Sequence, residues 1–294
     1  MQNYPVAPRS HLIARGMSIR QISDAVDDAR MIRVRRGWYA SPDAPQPVVR
    51  AVRVGGSLTS FSATSLTDIW TPPDTQLHVA VPRNASRLRS PHDGSRPLDR
   101  DRDRVCIHPL ATAGVIHEPV QTIAQALAHA AVCQSGEMAL TVIDSALNLG
   151  FVSEPELRAQ FENLPRRCRR LLEKAERRSQ SGIETLVRVR LRKLGIHLTV
   201  QAKISGVGHV DLLIGDRFVI ECDSHSFHWL EDQYREDHRR DAVLVSMDYV
   251  VFRATYEMVM FDWPWVESIV RHVVGARKHM WPRRRSDAVG ELLG

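Results

Sequence analysis

Long apolar stretches are missing from this sequence. No segment approaches the roughly 20 uninterrupted apolar residues that a membrane-spanning helix needs, although 43% of the chain is hydrophobic. Residues 1–10 are polar and contain proline, without the apolar core of a secretory signal. We therefore expect a cytoplasmic protein that does not cross a membrane.

Cysteine is scarce, and its positions are far apart. No Cys-x-x-Cys pair occurs, so the sequence predicts neither a zinc knuckle nor a disulfide framework. His108, His117 and His129 show no metal-ligand spacing either and are predicted to be surface or core histidines. We interpret all the cysteines as reduced, mostly buried thiols: Cys106, Cys133, Cys168 and Cys222.

Positive charge, by contrast, is in excess. The net charge of +6 and the pI near 9.4 favour a polyanionic partner, because lysine and arginine gain affinity by displacing counterions from phosphates. Any single cluster could equally be a solvated face. The arginine clusters are Arg33, Arg35 and Arg36, then Arg166, Arg167, Arg169 and Arg170, and last residues 283–285.

The first forty residues predict a small helical unit followed by a hairpin. Ile19, Ile22 and Val26 lie on one helical face behind Ser18, a suitable N-cap. Residues 31–35 then alternate apolar and basic side chains, and a turn at Arg36-Gly37 leads to the apolar residues 38–40. We expect a basic hairpin with one apolar face.

This order of helix, helix and basic hairpin resembles the winged helix-turn-helix at the N-terminus of AbiEi-type antitoxins. The resemblance covers this short segment only. It implies a wing whose arginines, on the solvent face, contact phosphates and position the protein without reading base sequence. A winged helix that docks onto a partner protein is the alternative.

The middle of the chain predicts structure but little chemistry. Leu77–Val81 is a strand, and residues 120–132 and 137–149 have helical spacing. Residues 82–104 are polar and rich in arginine and proline, so we expect a mobile loop that buries little apolar area. Residues 164–178 are strongly basic and predict a helix that connects to the last part of the chain.

The segment 181–223 carries the acidic side chains on which the functional interpretation depends. An amphipathic helix has Glu184 near its start. Two strands follow as a hairpin, with Asp211 on the first strand. Glu221 and Asp223 lie two residues apart on the second strand and therefore share a face.

Carboxylates gathered on one sheet surface repel one another and raise their own pKa values unless a cation neutralises them. A small number of oxygen ligands suits Mg²⁺, or Mn²⁺, with waters and a substrate phosphate in the remaining positions. Such a cation activates water for attack on phosphorus. We therefore predict phosphodiester hydrolysis, with Asp211, Glu221 and Asp223 around the metal.

The turn between the two strands decides whether these acids meet. A strict two-residue turn at Gly215-Asp216 would pair Asp211 with Ile220, on the face opposite Glu221. A three-residue loop or a bulge places Asp211 across from Glu221 instead, and we predict that irregularity.

Further polar residues complete a family pattern. The order of Glu184, Asp211 and Glu221-x-Asp223 resembles the DUF559 proteins, relatives of the very-short-patch-repair endonucleases within the PD-(D/E)XK superfamily. The resemblance implies that Asp211 and Glu221 hold the metal. It also implies that Glu184 orders a metal-bound water and that His228 is catalytic. The later positions that agree in order and spacing are His228, Asp237, Arg240, Asp241 and Arg253.

The sequence also departs from this pattern. Asp223 stands where the superfamily usually has lysine, so a second metal or His228 would have to supply the missing positive charge. Ser224 and Asp248 stand where relatives commonly have glycine. These departures bear on activity more than on fold.

Several of the same residues have structural alternatives. Ser181-x-x-Glu184 is also a capping box, in which the glutamate bonds back to the helix start. Asp237, Arg240 and Asp241 share a helical face, so an ion-pair network is as consistent with their spacing as contact with substrate.

The predicted fold class is α/β, with a C-terminal restriction-endonuclease-like mixed sheet flanked by helices. DNA is the predicted substrate, held by the winged helix and the basic connector. A catalytically degenerate DNA-binding regulator of the toxin–antitoxin type and a protein-binding adaptor are the alternatives. The predicted parts are a winged helix-turn-helix (1–45), an α+β middle region (46–163), a basic helical connector (164–180), a PD-(D/E)XK nuclease-like domain (181–278) and a basic flexible tail (279–294).

Overall fold

The computed structural model describes residues 5–111, 113–114, 116–223 and 231–282, with the backbone alone for 231–238. Over this range the architecture is mixed α/β, with helices and three separate sheets. The chain divides into two compact units, Met1–Ala175 and Glu176–Gly294. No helix of the described residues combines the length and apolar character that crossing a membrane requires.

The first sheet is small and antiparallel, with β3 between β1 and β2. The helix and hairpin predicted for residues 18–40 are present, and Ser18 Oγ caps α2 by accepting from the Gln21 N–H at 3.2 Å. Ile19, predicted on the packed face, is 65% exposed, so the prediction is wrong for this residue, whereas Ile22 is buried. The elements are β1 (Val6–Pro8), α1 (Arg9–Ala14), α2 (Ile19–Asp27), β2 (Ile32–Arg35) and β3 (Trp38–Ala40).

The hairpin arginines do not share one solvent face. Arg33 and Arg36 are exposed, whereas Arg35 is half-buried and its Nη1 donates to the Val52 carbonyl at 3.4 Å. The register of β2 against β3 shifts between Arg33 and Arg35, and such an irregularity turns neighbouring side chains to different sides. The prediction of arginines on the solvent face is therefore wrong for Arg35.

The second sheet has the order β4-β5-β6, with β4 antiparallel and β6 parallel to β5. The predicted strand Leu77–Val81 is β5. Buried side chains of α3, such as Val48 and Val52, belong to the same core as Val79 and Val81 of β5. The elements are α3 (Gln46–Val54), β4 (Ser57–Leu58), α4 (Ser60–Thr64), β5 (Leu77–Val81) and β6 (Val105–Pro109).

The segment 82–104 contains no named helix or strand, yet it is held in place. Asp103 is only 7% exposed; its Oδ1 accepts from Ser90 Oγ at 3.1 Å and pairs with Arg96. Leu88 and Leu98 pack against the core beside β5. The prediction of a mobile loop is wrong, because the segment is fixed around a buried, hydrogen-bonded carboxylate, which compensates for its small apolar area.

Helices that follow β6 complete the first unit. Helix α5 begins later than predicted because Thr122 and Gln125 form a capping box, each side chain accepting from the other's backbone N–H. Helix α8, from the predicted basic connector, packs against α5, α6 and α7 and buries Cys168 and Leu171, whereas its arginines at 166, 167, 169 and 170 are exposed. The helices are α5 (Ile123–Cys133), α6 (Gly136–Asn148), α7 (Glu154–Phe161) and α8 (Arg166–Leu172).

The second unit contains a mixed sheet of order β10-β9-β8-β7, in which β10 is parallel to β9 and the other described pairs are antiparallel. The predicted helices and strands are present, but β7 and α11 were not predicted. The elements are α9 (Gly182–Lys193), β7 (Leu198–Ile204), β8 (Gly208–Ile214), β9 (Phe218–Asp223), α10 (Glu231–Ser246), β10 (Val250–Thr255), α11 (Tyr256–Phe261) and α12 (Trp263–Gly275).

The turn between β8 and β9 has three residues, 215–217. Leu212 pairs with Ile220 and Ile214 with Phe218, so Asp211 lies across from Glu221. The predicted irregularity is confirmed. It requires Gly215 at φ +63°, a left-handed conformation that glycine adopts without steric cost.

Candidate active site

Asp211 and Glu221 are bonded to each other's strand. The regular β8–β9 pairing stops at Leu212 and Ile220, and side chains then take over the backbone groups. The Asp211 N–H donates to Glu221 Oε2 at 3.2 Å, and the Cys222 N–H donates to Asp211 Oδ2 at 2.8 Å. Two carboxylates are thus fixed side by side at the end of the ladder.

Glu184 reaches the same group from helix α9. Ser181 Oγ caps the helix by accepting from the Glu184 N–H at 3.2 Å. The Glu184 carboxylate accepts from the Gln180 N–H at 3.1 Å and from Gln201 Nε2 at 3.0 Å. Gln201 Nε2 also donates to Asp211 Oδ1 at 3.0 Å. The Glu184 N–H thus takes part in the helix cap, whereas its carboxylate accepts from Gln180 and not from the Ser181 N–H as the predicted capping box requires, and it belongs to the acidic group.

Gln201 is the site residue that the sequence analysis missed. It lies in β7 with φ +49°, while Val200 and Ala202 on either side keep one register with β8. A left-handed backbone costs a non-glycine residue roughly 1–2 kcal/mol, and strain of this kind concentrates at functional sites. The alternating apolar residues of 198–204 could have revealed the strand, but nothing in the sequence marks the strain.

Burial and repulsion change the acidity of the group. Burial, and then the Asp211 carboxylate, raise the pKa of Glu184 to about 7. The same two causes raise the pKa of Glu221 to about 7, against partial relief from Arg240 and Arg253. Burial is the larger of the two causes for both glutamates, and the Asp211 charge adds to it; both effects disfavour the charged carboxylate.

Asp223 forms an ion pair with an arginine of the same sheet. Arg253, on the adjacent strand β10, places Nη1 2.9 Å from Asp223 Oδ1. The same guanidinium makes two bonds to Asp241, with Nε–Oδ2 at 2.7 Å and Nη2–Oδ1 at 2.9 Å. These two acids and the hydrogen bonds raise the pKa of Arg253. A cation that bound Asp223 would therefore compete with Arg253 for its carboxylate.

Arg240 belongs to the rim of the acidic group. Its Nη2 donates to the His209 carbonyl at 2.5 Å and lies 3.7 Å from Glu221 Oε1. The ion pairs of this helix run to the sheet: Arg240 faces Glu221 of β9 and Asp241 pairs with Arg253 of β10, whereas the predicted alternative was a network along one face of the helix itself. Asp237 lies on α10, but its side chain is outside the described residues, as are His228 and Ser224.

The acidic group offers oxygen ligands from two strands and a helix. Asp211 and Glu221 supply carboxylate oxygens from neighbouring strands. The Gln201 side-chain amide links Glu184 to Asp211 by donating to both. Mg²⁺ and Mn²⁺ accept oxygen ligands of this kind and retain waters in the other positions. No protein-family model matches the chain, and no curated protein matches it in sequence. The functional inference therefore depends on this geometry and on the resemblance of the residues.

Proposed function

We propose that the second unit is a metal-dependent nuclease of the PD-(D/E)XK class that hydrolyses phosphodiester bonds in DNA. The observation that carries the proposal is the meeting of three carboxylates, whose negative charges repel one another: Asp211 and Glu221 bond across the end of the β8–β9 ladder, and Gln201 links Glu184 to Asp211. A divalent cation beside Asp211 would relieve that repulsion. The mixed sheet of order β10-β9-β8-β7, which α9 and α10 contact, supports a restriction-endonuclease-like core.

The roles of the residues follow from their contacts. A bound Mg²⁺ or Mn²⁺ would lower the pKa of a coordinated water and stabilise charge on the phosphate. Asp211 and Glu221 would hold it, because each carboxylate already accepts a hydrogen bond from a backbone N–H of the other residue's strand. Glu184 would order a water through its Oε1 atom, since Oε2 accepts the bonds from Gln180 and Gln201. Gln201 Nε2 donates to both Glu184 and Asp211 and would keep these two acids at a fixed separation.

The proposed DNA contacts are the exposed arginines of the first unit. Arg33 and Arg36 of the β2–β3 hairpin, with the exposed face of α8, present positive charge to solvent. The order of β1, α1, α2, β2 and β3 supports a winged helix-turn-helix, the arrangement that we propose for this segment. Such contacts would neutralise phosphates and position the strand to be cut.

Cleavage of supercoiled plasmid and labelled single strands, with Mg²⁺ or Mn²⁺, tests the proposal. Asp211→Asn and Glu221→Gln keep the shape of each side chain and remove its charge, and we expect both to abolish cutting. Glu257→Gln is the matched control, because Glu257 is an exposed acid of the same unit and should cut like the wild type. Cutting that survives both site variants would refute the assignment.

A second candidate is a DNA-binding regulator whose nuclease site is degenerate. The Asp223–Arg253 ion pair favours it, because an aspartate neutralised by arginine occupies the position of the usual lysine. This candidate predicts no cutting by wild-type protein with either metal. It also predicts salt-sensitive DNA binding that survives Asp211→Asn and Glu221→Gln.

A further inference from the structure

Two histidines and two cysteines converge in the first unit, in the part of the chain where the sequence analysis assigned no metal role. His78 lies on β5, and Cys106 and His108 lie on β6. Because β5 and β6 are parallel and His78 pairs with Cys106, these three side chains share one face of the sheet. Cys133, the last residue of α5, is the fourth member.

The four ligand atoms lie within 4.8 Å of one another. His78 Nδ1 is 3.0 Å from His108 Nε2 and 3.8 Å from Cys133 Sγ. In a tetrahedral zinc site, with Zn–S about 2.3 Å and Zn–N about 2.0–2.1 Å, ligand atoms are separated by roughly 3.3–3.8 Å. The 3.0 and 3.8 Å separations lie within a few tenths of an ångström of these values, and the widest of the others, at up to 4.8 Å, would have to close by about 1 Å on binding.

The surroundings of His78 also match those of a metal ligand. Its other nitrogen, Nε2, lies 2.8 Å from Asp74 Oδ2, and that oxygen accepts from Gln134 Nε2 at 2.9 Å. A carboxylate on the second ring nitrogen fixes the ring orientation and makes the first nitrogen a better ligand. His108 is held from another side, because its ring stacks on His129 with 4.8 Å between centroids.

We propose that His78, Cys106, His108 and Cys133 form a structural zinc site. Two thiolates and two imidazoles in a tetrahedron select zinc over the hard cations that suit the acidic site. Four protein ligands close the coordination sphere, which is the mark of a structural zinc and not of a catalytic one. On binding, both thiols release their protons to solvent, and the two thiolate charges balance the zinc.

Zinc bound at this site would join helix α5 to the second sheet. His78 and His108 are buried, Cys106 is partly buried and Cys133 is exposed, so zinc would fix the end of α5 to strands β5 and β6. The site lies in a different unit from the acidic group. Zinc content and DNA cleavage therefore test separate proposals, and Asp211→Asn should leave zinc content unchanged.

The test is the zinc content of protein purified without chelator and measured by plasma mass spectrometry. We expect about one zinc per chain for the wild type, and a loss of nearly all of it in Cys106→Ser/Cys133→Ser. The matched control is Cys168→Ser/Cys222→Ser, which removes two cysteines outside the cluster and should retain the metal. Equal zinc in both double variants, or none in the wild type, would overturn the site.

A second measurement uses wild-type protein alone, so it does not require the cysteine variants to fold. Wild-type protein loaded with Co²⁺ should show tetrahedral d–d absorption and a thiolate charge-transfer band, and zinc should protect Cys106 and Cys133 from alkylation. Cobalt spectra without thiolate character would contradict the proposal. So would alkylation at the same rate with and without zinc, or a Cys106–Cys133 disulfide in freshly purified protein.

Discussion

Arg253 Nη1 lies 2.9 Å from Asp223 Oδ1. This contact pairs an acid of β9 with a guanidinium of β10, beside the acidic group of the proposed active site. Strands β9 and β10 are parallel, and Arg253 pairs with Glu221 in their register. The Arg253 guanidinium is thus shared between Asp223 and Asp241.

Replacing Arg253 with methionine should destabilise the second unit by about 2 kcal/mol, because two partly buried carboxylates lose a charged hydrogen-bond donor. Urea unfolding would measure the loss. Arg271→Met is the matched control, since Arg271 pairs with Glu267 at the surface, where such pairs contribute under about 1 kcal/mol. Equal losses in both variants would show that the Asp223–Arg253–Asp241 network contributes no more to the free energy of unfolding than a surface ion pair does.

The raised pKa values of Glu184 and Glu221 predict how stability depends on pH without metal. Both pKa values lie at about 7 in the folded state, above the ordinary 4.5. The folded protein therefore binds protons more tightly than the unfolded chain, and this contribution is full below about pH 4.5 and is lost as pH rises through about 7. We expect the free energy of unfolding, measured in chelator, to fall over that range.

Glu184→Gln and Glu221→Gln should each flatten this pH profile, because the amide does not titrate. Mg²⁺ or Mn²⁺ should stabilise the wild type more at about pH 8 than at about pH 6, since the ligands must lose protons before they bind metal. Thermal melting at both pH values measures this difference. An unchanged profile in both variants would show that these glutamates do not carry the dependence.

Gln201 offers a test of backbone strain with its own internal control. Gln201→Ala and Gln201→Gly both remove the hydrogen bonds to Glu184 and Asp211. Only glycine relieves the left-handed conformation, so Gln201→Gly should be more stable than Gln201→Ala by about 1 kcal/mol. Within a strand glycine is ordinarily the worse of the two. The usual order in urea unfolding would therefore refute strain at this position.

Short-range patterns predicted many of the elements of the second unit. The spacing of apolar residues predicted α9, and the need to bring Asp211 and Glu221 onto one face predicted the three-residue turn. The positive φ of Asp248, +64°, explains why glycine suits that position between α10 and β10. Strand β7 was missed, and with it Gln201, although the apolar residues of 198–204 alternate as a strand requires.

Contacts between distant segments could not be predicted in the same way. His78 and Cys106 are paired by the β5–β6 ladder, and Cys133 joins them only because α5 ends beside that sheet. No sequence spacing encodes this meeting. The misjudged loop at 82–104 has a similar cause, since the burial of Asp103 depends on Ser90 and Arg96 folding back on it.

The exposed arginines of α8 give the last prediction, which concerns DNA affinity. Replacing all four with glutamine should weaken binding and reduce the salt dependence of log K by up to roughly 0.9 for each phosphate that is no longer neutralised. Arg33→Gln/Arg36→Gln tests the hairpin in the same way. The variant positions on α8 are Arg166, Arg167, Arg169 and Arg170.

The control for this measurement removes the same charge from another exposed surface of the first unit. If net charge alone attracts DNA, both quadruple variants will lose affinity equally, because long-range attraction depends on total charge. If α8 binds phosphates directly, only its variant will lose a large part of the salt slope in fluorescence-anisotropy titrations. The control positions, all exposed, are Arg83, Arg87, Arg100 and Arg102.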